Sequence, residues 1–199
     1  MPVLAIAVLR HNLDLEPTIL CCENDLSSLS WMVRGKALEA IKFSCRTIVK
    51  RMTPSTRCTV TEDQWAVLAY LRSDSIACAV VTDRDYPSRA AFAVTAKVLD
   101  DFSKTVTRST WITASDLSIQ CPSLRSSLVA FQDPAKADQC TAILNTLEET
   151  KHVLYDSIEK LLKRGEQLDT LVAQSHDLTV ATRMFYKRAK KTDRCCVVM

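Results

Sequence analysis

The chain has 199 residues, of which 47% are hydrophobic and 25% are charged, and its formal net charge is +3. This length fits one ordinary domain, or one domain with an extension, and the hydrophobic fraction allows a packed core. The small net charge does not by itself indicate nucleic-acid binding. With only two glycines, Gly35 and Gly165, a glycine-rich phosphate-binding loop is excluded.

Neither a membrane span nor a secretory leader is expected from the apolar segments. No stretch approaches the ~18 uninterrupted apolar residues of a membrane span. The N-terminal sequence MPVLAIAVLR has its arginine after the apolar run rather than before it, which is not the pattern of a leader. The nine cysteines are an odd number, contain no CxxC pair and lie mostly in apolar runs. This pattern favours reduced, buried thiols in a cytosolic protein over a disulfide framework or a zinc site.

The first part of the chain begins with strand signals and then a helix signal. Two short apolar runs at 3–10 and 17–22 are separated by polar turn residues, which predicts a hairpin of buried strands. Over residues 36–52 apolar side chains recur every three or four positions. This period predicts a helix that ends before Pro54.

Three strand-like runs follow, RCTVTED, QWAVLAYLRS and SIACAVVTD. Pro87 suits the first turn of a second helix, and a shorter helix is predicted near 123–132, before Pro134. The predicted order is therefore ββαβββαα, with strands and helices segregated along the chain. Such an order indicates an α+β domain with a mainly antiparallel sheet of five strands and helices on its faces.

After Pro134 a short polar linker leads into a segment of different character. From Cys140 to Thr192 there is no proline and no strand signal, and one register alternates between steps of three and four. A heptad pattern sustained for this length is typical of a coiled coil, and a lone helix could not bury the stripe. The apolar core positions predicted from this register include Ile143, Leu147, Leu154, Leu161, Leu168, Leu171, Leu178 and Phe185.

The same register also contains weak positions. Small polar residues occupy five of its core positions, and Gly165 costs roughly 1 kcal/mol of helix propensity relative to alanine. We therefore predict that the segment is not a stable isolated helix and becomes ordered on a partner. The polar core positions are Thr150, Ser157, Ser175, Thr182 and Thr192.

Arg164 lies in the middle of the predicted seam, between Leu161 and Leu168. A buried guanidinium without a partner would be very costly, so acceptors from other helices are expected. Its five N–H donors in a planar fork suit several carbonyl oxygens at once. The alternative is that the side chain reaches out to water and that the register is imperfect.

Around this arginine, LLKRGEQLDTLV resembles the central layer of an R-SNARE. The stretches SSLSWMVRG, DRDYPSRAAF, LDDFSK and FYKRAKK, with the CCxxM end, extend the resemblance over essentially the whole chain. The family that they resemble is the lipidated R-SNAREs that carry a longin domain and lack a transmembrane segment. The resemblance implies a longin (profilin-like) domain at 1–133, a linker at 134–138, an R-SNARE coiled-coil motif with a basic tail at 139–194 and a lipidation tail at 195–199.

The resemblance also implies a function and partners. Arg164 would contact three glutamines from Q-SNARE helices, in a parallel four-helix bundle that joins two membranes during vesicle trafficking. A second apolar stripe either flanks this bundle core or lets the free segment fold back onto the first domain; it consists of Leu144, Ile158, Leu162, Val172 and Val180. Longin domains can hold such a closed state, and the resemblance carries over Phe43, in KFSC, as the residue of the autoinhibitory groove. As an isolated phenylalanine it would otherwise be ordinary core.

The C-terminal end combines basic residues with two cysteines. RMFYKRAKKTDR has six basic residues and one acid; it is either a solvated helix face or a segment attracted to anionic lipid. The end CVVM is a C-a-a-X sequence, so a prenyltransferase would attach a farnesyl group to Cys196. The resemblance implies palmitoyl or a further prenyl group on Cys195. One lipid gives reversible membrane binding and two give stable anchoring, so we expect pools in the cytosol and on the cytoplasmic face of Golgi, vesicle and other endomembranes.

No pattern in the sequence indicates an enzyme, a metal site or a cofactor. The histidines His11, His152 and His176 are scattered and none has metal-ligand spacing; the last two fall off the seam and are expected to be solvated. No aromatic platform accompanies the basic tail, so nucleic acid is not an expected partner. The alternative function is that of a longin-type trafficking adaptor, which binds partners without driving fusion and has no need of Arg164.

Overall fold

The protein is built around one mixed sheet. The computed structural model describes residues 3–62, 64–138 and 150–184, and within these residues the sheet has six strands in the order β2-β1-β5-β4-β3-β6. Neighbouring strands are antiparallel except for β3 and β6, which are parallel. The strands are β1 (Val3–Arg10), β2 (Thr18–Asn24), β3 (Thr56–Glu62), β4 (Trp65–Leu71), β5 (Ile76–Asp83) and β6 (Lys151–Tyr155).

Helices cover both faces of this sheet. In chain order they are α1 (Trp31–Arg51), α2 (Ser88–Thr105), α3 (Arg108–Ile112), α4 (Pro122–Ala130), α5 (Pro134–Asp138), α6 (Ile158–Leu161) and α7 (Leu168–Gln174). Residues 180–184 are also helical. Within the described residues, no helix is both long enough and apolar enough to span a bilayer.

The core has two layers because successive residues of a strand point to opposite faces. Ile6 and Val8 of β1 pack with α2, whereas Ala7 and Leu9 pack on the side of α1. Phe102 of α2, which belongs to the first layer, is the largest of the fully buried side chains among the described residues. The second layer receives the apolar face of α1 that the sequence predicted, which includes Ile41, Cys45, Ile48 and Val49.

Both edges of the sheet formed by the first five strands are covered. At the β2 edge, the amides of Leu117 and Ile119 donate to the carbonyls of Ile19 and Leu20 at 2.6 and 3.1 Å. At the β3 edge, β6 supplies the pairing. An open edge would offer unpaired backbone groups to other chains, so this arrangement satisfies the backbone at both sides.

The predicted α+β architecture is confirmed, as is the order of its first five strands and of α1 and α2. Two details differ. The sheet has six strands rather than five, and the predicted linker 134–138 forms α5. Residues 150–184 form β6 and then short helices rather than the one long helix of a coiled coil, in line with the prediction that the segment is not a stable isolated helix. The physical reason is that a heptad stripe specifies a long helix where partner helices cover it, and here α1 and the β3 edge cover it instead.

Candidate functional site: the groove that holds residues 150–184

The C-terminal segment, residues 150–184, begins with a strand docked on the edge of the sheet. β6 pairs with β3 from Lys151 opposite Thr56 to Tyr155 opposite Val60. Hydrogen bonds fix both ends of this pairing, since Arg57 Nη2 donates to the Thr150 carbonyl at 3.1 Å and the Ile158 amide donates to Glu62 Oε1 at 2.8 Å. Backbone pairing of this kind accepts many sequences, so the side chains that follow must supply the specificity.

His152 of β6 contacts β3 and also the helix α2, which packs on the face of the sheet away from α1. Its Nε2 shares a hydrogen bond of 2.9 Å with Thr59 Oγ1, and its ring meets the Phe92 ring edge-on at 5.0 Å. Burial, and then the nearby Arg57 guanidinium, lower the pKa of His152. The residue was expected to be solvated; its side chain is exposed to water on one side but makes specific contacts on the other.

The apolar residues that follow β6 enter the layer between α1 and the sheet. Ile158 and Leu161 of α6 are 1% and 7% exposed and belong to the same cluster as Ile48 of α1. Beyond α6, the side chains of Val172 and Leu178 form a separate cluster with Phe43, against which Leu168 and Leu171 also pack. Phe43 is 4% exposed and is the contribution of α1 to that cluster.

Most described positions of both predicted stripes therefore pack on the N-terminal domain. Among the predicted coiled-coil core residues, Leu161 and Leu178 are buried, Leu168 and Leu171 are half-buried, and Leu154 is exposed. Of the second stripe, Ile158 and Val172 are buried, Leu162 is half-buried and Val180 is exposed. The remaining predicted positions lie outside the described residues; they are Ile143, Leu144, Leu147, Phe185, Cys195 and Cys196.

A buried arginine joins the segment to two loops of the N-terminal domain. Arg46 of α1 donates from Nε to Asp177 Oδ2 at 2.8 Å, from Nη2 to Asp116 Oδ2 at 2.6 Å, and from Nη1 to the Pro17 carbonyl. Burial alone would lower the pKa of Arg46, but the two carboxylates outweigh it and raise the pKa. The sequence carried no local signal for this contact, because its partners are far apart along the chain.

Two more polar contacts fix the segment along α1. Glu39 Oε2 accepts hydrogen bonds from the amide and hydroxyl of Thr179 at 2.9 and 3.0 Å. Burial raises the pKa of Glu39, but the hydrogen bonds from the segment outweigh it, and the pKa is lowered. Near the other end of α1, Arg51 Nε donates to Glu166 Oε2 at 3.0 Å. The segment therefore follows α1 over much of its length.

Between α6 and α7 the segment makes a tight turn at the predicted seam arginine. The Glu166 amide donates to the Lys163 carbonyl at 3.0 Å, and Gly165 has φ +93°, a conformation that glycine adopts readily and other residues do not. Arg164 lies in this turn and is exposed. In the docked segment its charge therefore remains in water rather than in an apolar layer.

Comparison with known proteins matches both parts of the chain. The longin model, described as a regulated-SNARE-like domain, matches residues 26–128, and the synaptobrevin model matches residues 139–198. A synaptobrevin homolog YKT6 from Yarrowia lipolytica is 37% identical over 201 aligned residues that cover 100% of both chains. The VAMP-like protein YKT61 of Arabidopsis thaliana is 40% identical over 185 residues, 92% of each chain. The chain belongs to the synaptobrevin family, as an R-SNARE of vesicle trafficking with an N-terminal longin domain.

Proposed function

We propose that the SNARE motif at 139–194 leaves the groove and joins three Q-SNARE helices in a parallel four-helix bundle that draws two membranes together. SNARE partners in general follow from the family; the number and type of helices are the proposal. The supporting observation is that the groove covers Leu161, Leu168, Leu171 and Leu178, which are also the predicted bundle core. The same side chains cannot be buried in two places, so the docked and bundled states exclude each other. The longin domain would thereby be autoinhibitory.

Arg164 would change its environment between the two states. In the docked segment it is exposed, which avoids the cost of removing a charge from water. In the bundle it would lie in the central layer and donate to glutamine side chains of three Q-SNARE helices. Its guanidinium fork suits several carbonyl acceptors, and a polar residue at one core position fixes the register of the helices.

Membrane attachment would be reversible and would use the C-terminal cysteines. A prenyltransferase would place farnesyl on Cys196, and a second lipid on Cys195 would convert transient binding into stable binding. Basic residues between Arg183 and Arg194 would add attraction to anionic lipid. From Thr192 to Cys196 the extended chain spans at most roughly 14 Å, so bundle formation would transmit force to the lipid anchor. The protein would divide between the cytosol and the cytoplasmic face of Golgi and vesicle membranes.

Bundle formation is tested by mixing the full chain with three glutamine-bearing Q-SNARE helices. We expect an SDS-resistant complex, and we expect Arg164→Ala to weaken it. Lys163→Ala is the matched control, because it removes an adjacent exposed cation outside the seam. Absence of the complex, or an Arg164 variant that behaves like the control, would favour a longin-type adaptor without fusion activity.

The anchor is tested separately by membrane fractionation of cells that express single cysteine variants. Cys196→Ser should abolish membrane association, and Cys195→Ser should leave transient association. If both variants still pellet with membranes, the anchor lies elsewhere in the chain.

A further inference from the structure

The beginning of α1 exposes three consecutive apolar side chains. Trp31 is 79% exposed, Met32 68% and Val33 37%. Residues 31–35 of α1 are exposed, whereas Ala37 and Leu38 pack against the core, so the first turn of this helix projects from the fold. A large aromatic residue that is this exposed is unusual enough to indicate a binding surface.

These side chains lie at one end of the domain. The loop before α1 is fixed to the start of β1, since the Asp25 amide donates to the Leu4 carbonyl at 2.9 Å. The other strongly exposed apolar pair, Leu13 and Leu15, lies in the loop between β1 and β2, at the opposite end of these strands. The domain therefore has exposed apolar side chains at both ends, and the second site can serve as a control for the first.

The C-terminal segment runs toward the end that carries Trp31. Its contacts move along α1 from Arg46, which binds Asp177, to Glu39, which binds Thr179. Seven residues of helix correspond to about 10 Å. Residues 180–184 continue from this point, and the chain that follows contains the basic tail and the two cysteines. The contacts of the described segment thus end near the N-terminal half of α1.

One exposed basic side chain lies beside the apolar turn. Arg34 is exposed, and its guanidinium is positioned by hydrogen bonds of 2.9 Å to the carbonyls of Ser27 and Leu29. The nearby carboxylate of Asp25 accepts a hydrogen bond from the Ser27 amide at 3.0 Å. Tryptophan beside basic side chains is the combination found at membrane–water interfaces.

We propose that Trp31 and Met32 insert into the interface of a bilayer that contains anionic lipid, so that the longin domain itself contacts the membrane. Phe43 and Arg46, which hold the C-terminal segment, lie farther along α1. Membrane contact and docking of residues 150–184 are therefore compatible. This inference rests on the proposed membrane attachment. Its test uses a chain that carries no covalent lipid on Cys195 or Cys196, so that insertion of Trp31 and lipid anchoring can fail separately.

The test uses the full chain with Cys195→Ser and Cys196→Ser, which cannot receive the proposed lipids. Trp fluorescence is measured with vesicles of phosphatidylcholine and phosphatidylserine that carry bromine on the acyl chains. We expect a blue shift and quenching that largely disappear in Trp31→Phe, because Trp111 is buried and Trp65 is half-buried against the second core layer. Vesicles without phosphatidylserine should quench less.

Vesicle flotation then measures the contribution to affinity. We expect Trp31→Ala with Met32→Ala to reduce binding about tenfold, the loss expected from partial burial of two apolar side chains. Leu13→Ala with Leu15→Ala removes a similar exposed apolar surface from the other end and should leave binding unchanged. The proposal is overturned if Trp31 is not quenched, if its emission is already shifted without vesicles because the chain's own tail covers it, or if the two double variants lose binding equally.

Discussion

Residues 3–138 and residues 150–184 obtain their order in different ways. The first region buries its own strands and helices against each other, with side chains such as Ile6 and Phe102 fully enclosed. In the second, α6 has four residues and α7 has seven, too few for a helix that is stable by itself. Its apolar side chains are covered by α1 and the sheet. The conformation of the SNARE segment is therefore set by the surface that it contacts.

This difference would allow one sequence to serve both the docked state and the proposed bundle. The heptad stripe is satisfied by any partner that covers Leu161, Leu171 and Leu178, whether that partner is the longin groove or a set of helices. A variant that weakens the docked form should release the segment and leave the first region folded. The predictions below test that separation, in order of decreasing expected effect.

The largest effect is expected for Phe43→Glu. Phe43 clusters with Val172 and Leu178 of the segment, so a carboxylate there would be buried only while the segment is docked. We expect the docked state to lose about 3 kcal/mol of stability relative to the released state, because the new charge would be buried without a partner. Amide hydrogen exchange should accelerate across 150–184 and stay slow in β1 and β5.

The matched control is Val129→Glu, which places the same charge on an exposed position of α4. It should leave exchange of the segment unchanged. If Phe43→Glu behaves like this control, the segment is not held at Phe43.

A smaller effect is expected for Asp177→Ala. The change removes one of the two carboxylates on Arg46, while Asp116 and the Pro17 carbonyl still hold the guanidinium. Loss of a hydrogen bond to a buried charged group should weaken docking by about 2 kcal/mol. Limited proteolysis within 150–184 should become faster. Asp156→Ala, which removes an exposed partner of Lys160, should change little; equal rates in both variants would contradict a role for Arg46.

Gly165→Ala should destabilise the docked state and stabilise the bundled helix, so both effects shift the equilibrium toward the bundle. At φ +93° alanine strains the docked turn by about 1 kcal/mol, and in a continuous helix it gains about 1 kcal/mol over glycine. No atom lies within 4 Å of the added Cβ, so the effect is conformational. Assembly with Q-SNARE helices should be faster than in wild type. Gly35→Ala, in α1, is the control. Slower assembly of the Gly165 variant than of wild type would contradict the idea that this turn must straighten into a helix when the bundle forms.

The smallest effect is a pH dependence of the β6 pairing. Docking lowers the pKa of His152 from its usual value of 6.5 through burial and Arg57. The neutral ring is thus favoured when docked, so the pairing is at full strength above pH 6.5 and weakens as the pH falls through and below this value. Glu39 and Glu166 also have lowered pKa values, but the stability that they contribute to docking is lost only when the pH falls below their usual pKa of 4.5. NMR of β6 amides should show this loss in wild type and not in His152→Phe. Identical pH profiles of the two proteins would mean that His152 is not the cause of the pH dependence.

Sequence patterns predicted the first region well because its signals are local. The periodic face of α1 and the apolar runs of β1 to β5 each lie within one element, and Pro54 and Pro87 mark helix boundaries. The start of α1 at Trp31 was missed, since its first residues are apolar without helical period and Ser30 makes no capping side-chain bond.

The second region was predicted as a coiled coil because its heptad pattern is typical of a helix that partner helices cover. The strand residues KHVLY also fit the heptad stripe, and their pairing partner Thr56 is distant in the sequence. Arg46 and Asp177 are 131 residues apart, so neither residue alone indicated the contact. Phe43 was predicted through family resemblance, and its contact with Val172 and Leu178 is what the structure adds.

The central claim is that the longin groove and the Q-SNARE helices compete for residues 150–184. The most direct test is amide hydrogen exchange on both sides of the β3–β6 pairing, in the full chain, before and after the three Q-SNARE helices are added. We expect opposite changes: amides of β3 that pair with β6 lose protection, while those of 150–184 become more protected. A complex that forms while β3 keeps its protection would contradict the account, because the segment would then be bundled without leaving the groove.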